Sequence, residues 1–493
     1  MPVESQHPEY QLHVEDWEAC RDVYHGQSAV RRRECGQRYL PPTRGMHIDG
    51  MQAGGLGRKN YDAYRDRALL SGFFTDAVDT FLGMLWHRPT VFELGMLEQY
   101  FGEDKPATQC GESLKQLLRR MHVEALVAAR MVLMGDLPSE EATNPAPYLE
   151  LYKAERVINW DDGARQLARR VLNLVVLDEC GPVRSGFQWK EQTQYRVLEL
   201  GALAANESAG AYRVAVVNEA GDVPELAFQS PTVRRRPLDE IPAVFVGTKS
   251  TTTEVNDPPL LALARAVLAL YRMDADYRQQ LHMQGQDTLF TRGVPPENVT
   301  AVGAGAHIHS DNPHADAKFI GVSAAGLGET RQAIENERVI CAKKAGELLA
   351  DNSKQRESGE ALAERTGRKG TSLLDIAQTC AAGLQQILRI MAKWLGATPG
   401  QINEIKVIPN EKFGTPMFVT EDMKKLVEAY VLGAPITLES IHEYNVAHGY
   451  TTLTWDEMIQ KKRSEQEMLA ELLPMPAPNA EDDSDEEDVA AAE

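Results

Sequence analysis

The order in which helical and strand-like patterns follow one another constrains this chain more than any single motif does. Apolar residues recur at helical spacing over residues 1–135, alternate as in strands over 146–247, and return to helical spacing over 258–396 and 400–473. Helices and strands that are segregated in this way predict an α+β fold with an antiparallel sheet, because an α/β fold would alternate the two patterns.

The N-terminal region is expected to contain two main helices. Residues 60–86 show an apolar face close to the 3.6-residue period and end before Pro89, and residues 113–134 show a second such face. The glycine- and proline-rich residues 40–58 predict a loop ahead of the first helix.

Short alternating or β-branched runs predict the strands of the central region. The runs are residues 147–152, 171–177, 195–200, 212–217 and 241–247. Pro242 lacks an N–H group for a ladder, so it predicts that the last run begins a strand or lies at the edge of the sheet.

Three long helices are predicted in the second half of the chain. They cover residues 258–283, 327–350 and 371–396, and the first opens on two prolines, which suit an initial helical turn. A segment rich in glycine, proline and histidine (284–325) separates the first two helices, and a polar, glycine-punctuated segment (351–370) separates the last two.

Charge and composition exclude several classes of protein. The 493 residues carry 52 basic and 72 acidic side chains, a formal charge of −20, so we expect no non-specific coating of nucleic acid. Eight of the acidic residues fall within 481–493, and residues 474–493 predict a disordered acidic tail. Neither a signal peptide nor a transmembrane span is expected. The six cysteines lack CxxC spacing and predict free thiols in a reducing compartment.

No motif predicts catalysis or a cofactor. Residues 247–250 (GTKS) resemble the end of a phosphate-binding loop, but they lack the glycines that form its anion nest. His442 and His448 are six residues apart and cannot stack as a zincin pair does. We therefore expect no enzyme activity, and an enzyme with an unrecognised site stays an alternative to be tested.

A histidine-rich stretch offers the only metal hypothesis. His307, His309 and His314 lie near Asp311 and Asp316, and imidazole and carboxylate groups suit zinc or nickel. The simpler interpretation is an exposed polar loop, so no metal site is expected.

Residues 343–369 form a basic segment in an acidic protein. Its seven basic and five acidic residues give a local charge of +2. The basic residues are Lys343, Lys344, Lys354, Arg356, Arg365, Arg368 and Lys369. The segment suits a weak contact with nucleic acid, and the alternative is a solvated connection between two helices. The arginine triplets at 31–33 and 234–236 allow the same two interpretations.

A set of short motifs follows a fixed order through most of the chain. They are HPEY at 7–10, Gly26, YLPP at 39–42, YDAYRDRA at 61–68, FLGMLWHRP at 81–89, PYLELYKAE at 147–155, VINW at 157–160, YRVLE at 195–199, IPAVFVG at 241–247, PPLL at 258–261, ADY at 275–277 and GLG at 326–328. In this order the chain resembles bacteriophage portal proteins, specifically a portal-like family first catalogued as a domain of unknown function in phage and prophage genomes.

The resemblance implies a portal-type α+β fold with a helical and β wing, two long stem helices, a small clip and a helical crown. By position these are the wing at 1–257, the first stem helix at 258–283, the clip at 284–325, the second stem helix at 326–350, a tunnel loop at 351–370, a helix returning to the wing at 371–399 and the crown at 400–473. The disordered tail at 474–493 is not explained by the resemblance.

The resemblance also implies a function. Portal proteins form a ring, usually of twelve subunits, at one capsid vertex, through which double-stranded DNA is packaged and ejected. The implied partners are the terminase large subunit, a head–tail adaptor, the major capsid protein and scaffold, with no membrane. The protein would assemble in the host cytoplasm and reside in the virion. The alternative is a soluble phage assembly factor without a channel.

Two groups of residues are candidates for this function. The seven basic residues of 343–369 would face DNA in the channel, as the tunnel loop does in portals. The candidates for docking of partners at the clip are Arg292, His307, His309, His314 and Lys318.

Overall fold

The computed structural model of the protein describes most of the chain. The described residues are 2–102, 105–137, 146–163, 172–201, 211–233, 236–284, 288–294, 309–320, 326–347, 359–411, 428–433, 435, 437–447 and 453–472. The chain divides into two compact units, Met1–Phe413 and Gly414–Glu493. The larger unit combines helices with several small sheets and is α+β, as the segregated patterns predict.

In the larger unit most helices lie in the N-terminal and C-terminal parts of the sequence. In the smaller unit all of the regular structure that is described is helical. They are α1 (Pro8–His25), α2 (Gln27–Arg32), α3 (Arg44–Ile48), α4 (Leu56–Arg67), α5 (Phe73–Leu85), α6 (Glu98–Phe101), α7 (Leu114–Ala128), α8 (Leu261–Gln284), α9 (Leu327–Glu347), α10 (Gly359–Trp394), α11 (Pro399–Glu404), α12 (Leu438–Ala447) and α13 (Trp455–Leu472). Within the described ranges no helix is long and apolar enough to cross a membrane.

The strands lie mostly between α7 and α8. They are β1 (Val91–Glu93), β2 (Arg130–Asp136), β3 (Tyr148–Lys153), β4 (Val157–Asp161), β5 (Leu174–Asp178), β6 (Gly181–Ser185), β7 (Gln188–Gln192), β8 (Tyr195–Leu200), β9 (Tyr212–Val217), β10 (Phe228–Gln229), β11 (Thr232–Val233), β12 (Arg236–Pro237), β13 (Ala243–Gly247), β14 (Thr288–Arg292), β15 (Asp316–Ile320) and β16 (Lys406–Ile408).

Two antiparallel sheets carry the middle of the larger unit. One has five strands in the order β10-β9-β8-β5-β4, and the other has three in the order β13-β2-β3. The pairs β1/β16, β6/β7, β11/β12 and β14/β15 are separate two-stranded ribbons. The five strands predicted from the sequence correspond to β3, β5, β8, β9 and β13. Strand β13 lies at an edge and begins directly after Pro242, as the proline predicts.

The core forms where α7 and α10 pack against each other and against the three-stranded sheet. Glycines allow this close approach. A Cβ atom at Gly383 of α10 would lie 2.4 Å from Cγ2 of Val246, and one at Gly135 of β2 would lie 2.2 Å from Sδ of Met391. The backbone of α10 therefore lies directly against a side chain of the sheet, and the backbone of the sheet lies directly against a side chain of α10.

A charge cluster ties α1 to the rest of this core. Arg21 donates hydrogen bonds to both carboxylate oxygens of Glu124 (2.6 and 3.1 Å) and of Glu155 (2.5 and 2.9 Å). All three side chains are nearly buried. One guanidinium thus links α1, α7 and the turn that precedes β4, and the two carboxylates keep it charged.

The predicted helix over 60–86 is wrong in one respect, because the structure has two helices, α4 and α5. Ala68 adopts an extended conformation after α4. The amide of Leu69 donates to the carboxylate of Asp274 (3.0 Å), and that of Leu70 donates to the side chain of Gln27 (3.2 Å). Acceptors from distant elements thus satisfy the N–H groups that a continuous helix would have used. The predicted loop over 40–58 also contains α3 and the start of α4.

The predicted helix over 113–134 ends early. Helix α7 stops at Ala128, Ala129 takes a left-handed conformation with φ of 59°, and Arg130 begins β2. Strand β2 pairs with both β3 and β13 and is buried along almost its whole length. A strand buried on both faces has no alternation to mark it, so its apolar run looks like the continuation of the helix.

The segment 351–370 is less of a loop than its glycines suggest. The backbone is helical from Gly359 onward and continues to Trp394 as α10, while residues 351–358 lie outside the described residues. Alanine, leucine, glutamate, arginine and lysine dominate the start of α10, and their helix propensity outweighs the cost of about 1 kcal/mol for each glycine.

The described residues of the smaller unit are helical, as predicted for 400–473, but the segment before this unit contains a strand besides α11. The described residues of this unit form α12 and α13 and a helical turn at 428–431; the rest of the predicted helix at 420–432 is not described. The ring of His442 lies 5.4 Å from that of Trp455, so the two helices contact each other. Strand β16, at 406–408, pairs with β1 and belongs to the larger unit.

Candidate functional site

Helices α8 and α9 and the ribbon β14/β15 between them form one continuous feature, which we call the stalk. Thr288 at the start of β14 pairs with Ile320 at the end of β15, so the chain leaves α8 and enters α9 near the same point. The two helices pack along each other from there and therefore run antiparallel. The stalk corresponds to the predicted helices at 258–283 and 327–350 and the segment between them.

Helix α8 is anchored in the larger unit through its first three-quarters. The hydroxyl of Tyr64 donates to Asp276 (2.5 Å), and Arg67 donates to the side chain of Gln279 (2.6 Å). Asp274 is buried and accepts from Arg278 (2.6 Å) besides the amide in the α4–α5 break. Beyond Gln279 the helix is largely exposed, so the far end of the stalk extends from the body of this unit.

Helix α9 is buried on one narrow stripe only. Ile334, Cys341 and Ala345 are buried against α8 and α5, and most of the remaining described side chains are exposed. The exposed ones include Val339 (60%) and Ile340 (42%). A helix of 21 residues with apolar side chains outside its buried stripe has a surface suited to a further helix.

The ribbon β14/β15 presents charged and aromatic side chains to solvent. Arg292 is directly opposite Asp316, and Phe290 is directly opposite Lys318. The ammonium of Lys318 lies 5.8 Å from the centre of the Phe290 ring, which is a cation–π distance. Arg292 and Lys318, two of the predicted docking residues, are therefore brought together on one small exposed ribbon.

The histidines of the same segment do not converge. His309 and His314 are exposed, and Nε2 of His309 lies 3.1 Å from a carboxylate oxygen of Asp311. His307 lies outside the described residues. Among the residues that the structure describes, no three histidine, cysteine or carboxylate side chains are grouped as a metal would need.

The predicted channel residues are divided between two helices. Lys343 and Lys344 lie in the last turns of α9, where the helix dipole favours positive charge. Arg365, Arg368 and Lys369 belong to the first turns of α10. The remaining two, Lys354 and Arg356, lie outside the described residues.

The arginine triplet at 31–33 has structural partners. Arg31 donates to the carbonyl oxygens of Asp66 and Ala68 (both 2.9 Å). Arg33 donates to the carboxylate of Asp22 (2.7 Å). Of the second triplet, residues 234 and 235 are outside the described residues, and Arg236 lies in β12.

Sequence reasoning missed a buried arginine. Arg130 lies between two aromatic rings, with its guanidinium carbon 3.9 Å from the centre of Trp160 and 4.6 Å from that of Phe245. Its Nη1 donates to the carbonyl oxygen of Thr253 (2.8 Å). Burial lowers the pKa of this guanidinium to about 9, which still leaves it charged at neutral pH. The rings come from two other strands, so no local spacing could reveal the group.

Sequence reasoning also missed a cavity between the two sheets, which we call the polar pocket. Its volume is about 410 Å³, which is within the range of small-molecule sites, and its walls include Tyr148, Glu150, Tyr152, Glu179 and Arg196. The hydroxyl of Tyr152 (2.6 Å) and Nε of Arg196 (2.7 Å) both donate to Glu179. These donors keep the pKa of Glu179 lowered despite its burial.

Glu150 in the same pocket has a different environment. Within the described part of the chain no cation lies within salt-bridge distance of its carboxylate. Burial raises the pKa of Glu150, and the nearby Arg120, which pairs with Glu112 (3.0 Å), offsets this only in part. The pocket thus holds a carboxylate that a cation from outside would stabilise.

Comparisons with known proteins give a partial family match and distant structural neighbours. Residues 259–395, which contain the stalk and α10, match a family described as "Domain of unknown function (DUF4055)". No curated protein matches the chain. The chain is similar to one in the virion of a native gene transfer agent particle, with 12% identity and a TM-score of 0.38 over 82% of this chain and 98% of that one.

Two further structures with similar chains are necks of the same kind of particle. The neck of the empty particle, computed with C6 symmetry, gives the same values: 12% identity, a TM-score of 0.38, and coverage of 82% and 98%. The neck of the native particle, computed with C12 symmetry, gives 12% identity and a TM-score of 0.37 over 80% of this chain and 93% of that one.

Proposed function

We propose that this chain is a phage portal protein, which forms a ring at one capsid vertex and lets double-stranded DNA pass during packaging and ejection. The observation that carries the proposal is the stalk. Two long antiparallel helices joined at one end by an exposed ribbon have the arrangement that the resemblance implies for the stem and clip. The ordered motifs between His7 and Gly328 support the same proposal.

The exposed surface of α9 supports assembly into a ring. Val339 and Ile340 lie outside the stripe that packs on α8. In a ring each stalk would lie beside two others, and the neighbouring helices would cover these apolar side chains. The stalk would then line the channel, and the ribbon with Arg292 and Lys318 would be free at its end to bind the packaging motor and the adaptor.

The distribution of charge supports a channel that does not hold DNA tightly. Each phosphate that a protein neutralises releases counterions and strengthens binding, so a wholly basic channel would slow the passage of DNA. This chain has a charge of −20 with a basic segment of +2 at 343–369. A ring of about twelve copies would carry roughly +24 in one narrow band, which allows weak contacts to sliding DNA.

Negative-stain electron microscopy and mass photometry of the purified full-length chain test the proposal. We expect closed rings of about twelve copies with a central hole. A monomer or dimer that does not change with protein concentration or salt would contradict the proposal and favour a non-channel assembly factor.

Neutralising charge tests the channel role separately from assembly. In the triple variant Arg365→Gln, Arg368→Gln and Lys369→Gln we expect intact rings and particles that retain less DNA. The matched control neutralises Lys461, Lys462 and Arg463, three exposed basic residues of α13. Equal DNA retention in both variants would contradict the role of the basic segment.

A further inference from the structure

The ribbon β6/β7, which we call the arm, projects from the five-stranded sheet. Among the described residues its two strands pair only with each other. Nearly all its side chains are exposed, including Phe187 (98%) at its tip and Trp189 (68%). A two-stranded ribbon is marginally stable by itself in water, and large exposed aromatic side chains mark an interaction site. The arm therefore has the properties of a segment that another surface covers.

Basic side chains accompany the aromatic ones on the arm. Arg184 is directly opposite Trp189, so their side chains lie on one face, and Val183 is opposite Lys190 on the other face. With Glu191 as its single acidic residue, the arm has a local charge of +1 in a chain of −20. A surface that receives it should offer both apolar or aromatic area and carboxylates.

The polar pocket has this complementary chemistry. It offers the rings of Tyr148 and Tyr152, and it contains Glu150, a carboxylate without a cation in the described structure. An incoming guanidinium would pair with that carboxylate, and incoming aromatic rings would pack on the tyrosines.

The arm does not fill the pocket of its own chain. It begins and ends beside Glu179 and Gln194, which both line the pocket. Each of its five-residue strands is extended and carries the tip about 17 Å from this rim. The near-complete exposure of Phe187 agrees with a tip that lies away from its own pocket.

We propose that the arm of one copy docks into the polar pocket of the next copy in the ring. Phe187, Trp189 and Arg184 would be the side chains that enter it. The inference rests on the proposed function, because it needs neighbouring copies. Donor and acceptor surfaces differ, so the contact is heterologous, and such contacts are all satisfied only when the ring closes.

A disulfide between copies tests this docking, because Cys110 is exposed, free and part of the pocket wall. In the variant Phe187→Cys we expect mild oxidation to give covalent multimers, up to the size of the ring, on a non-reducing gel. Adding Cys110→Ser should abolish them. The matched control Glu219→Cys, at an exposed turn after β9, should give none.

The outcomes separate this inference from the proposed function. Rings in the microscope without multimers on the gel would overturn the docking and leave the ring standing. A disulfide confined to single chains would also overturn it, because the arm would then reach its own pocket. If the unmodified chain forms no ring, both proposals fail.

Removing the aromatic anchor gives an independent test. Trp189 is exposed, so Trp189→Ala should leave the circular dichroism spectrum and the melting temperature unchanged. Loss of an interface anchor should weaken association by about 30-fold or more. Leu226→Ala removes a fully exposed apolar side chain elsewhere on this unit and should have no effect. Unchanged association of the Trp189 variant would contradict the docking.

Discussion

Arg21 and His122 are two buried basic side chains whose charge states differ because their neighbours differ. Arg21 meets two carboxylates and is held charged. His122 accepts a hydrogen bond at Nδ1 from the indole of Trp86 (3.0 Å), and burial lowers its pKa to about 4. At neutral pH the first side chain is an ion in the core and the second is a neutral ring.

We expect Arg21→Met to destabilise the protein by about 3–5 kcal/mol, because it leaves the carboxylates of Glu124 and Glu155 buried without their cation. Urea unfolding followed by circular dichroism measures the change. The control is Arg265→Met, which breaks an exposed pair with Asp16 and should cost at most about 1 kcal/mol. Equal small losses in both variants would show that the buried cluster contributes little.

His122 makes the stability of the fold depend on pH. Its pKa is about 4 in the folded state and near 6.5 when unfolded, so the unfolded chain binds the extra proton. Its contribution is complete above pH 6.5 and is lost as the pH falls towards 4, by about 3 kcal/mol in all. In thermal melts we expect the His122→Leu variant to lose less stability than the parent protein as the pH is lowered from 7 to 4.5. Parallel losses in the two proteins would contradict this.

At the scale of the elements, sequence patterns predicted what local spacing determines and missed what distant partners determine. Strands β3, β5, β8, β9 and β13 alternate or are β-branched, and the sequence predicts each of them. The break between α4 and α5 depends on Asp274 and Gln27, which no local pattern contains. Strand β2 is buried on both faces, so its apolar run is ambiguous between a strand and a helix.

Replacing either of two helical glycines by alanine should change the stability of the protein, but in opposite directions. At Gly383 a Cβ atom would meet Val246, a stiff β-branched side chain, at 2.4 Å, so we expect Gly383→Ala to destabilise by about 1–3 kcal/mol despite its better helix propensity. At Gly83 of α5 nothing lies within 4 Å, and Gly83→Ala should stabilise by about 0.5–1 kcal/mol. Urea unfolding distinguishes them, and a stabilised Gly383→Ala would contradict the close packing of α10 on the sheet.

At the scale of the whole molecule, the sequence predicted the candidate site in part. The two helices of the stalk have local signals, and the structure describes them. The polar pocket has none, because its walls come from β2, β3 and β8, from a loop at 109–110, and from Glu179 and Gln194 at the two ends of the arm. Carboxylates so far apart in sequence are each indistinguishable from a solvated surface charge until the fold brings them together.

Net charge should make assembly depend on salt. In the proposed ring, subunits of −20 would repel one another, and salt shortens the range of such repulsion from about 30 Å at 0.01 M to about 10 Å at 0.1 M. We expect mass photometry to show stronger association at 300 mM than at 10 mM NaCl. Replacing the eight acidic residues of 481–493 by asparagine and glutamine changes −20 to −12 and should reduce this dependence.

A chain truncated after residue 473 carries the same charge of −12 and serves as the control for tail length. If repulsion is the cause, the neutralised and truncated chains should show the same weakened response to salt. A neutralised tail that behaves like the native one would contradict the electrostatic explanation. A truncated chain that alone differs would instead show that the length of the tail, and not its charge, opposes assembly.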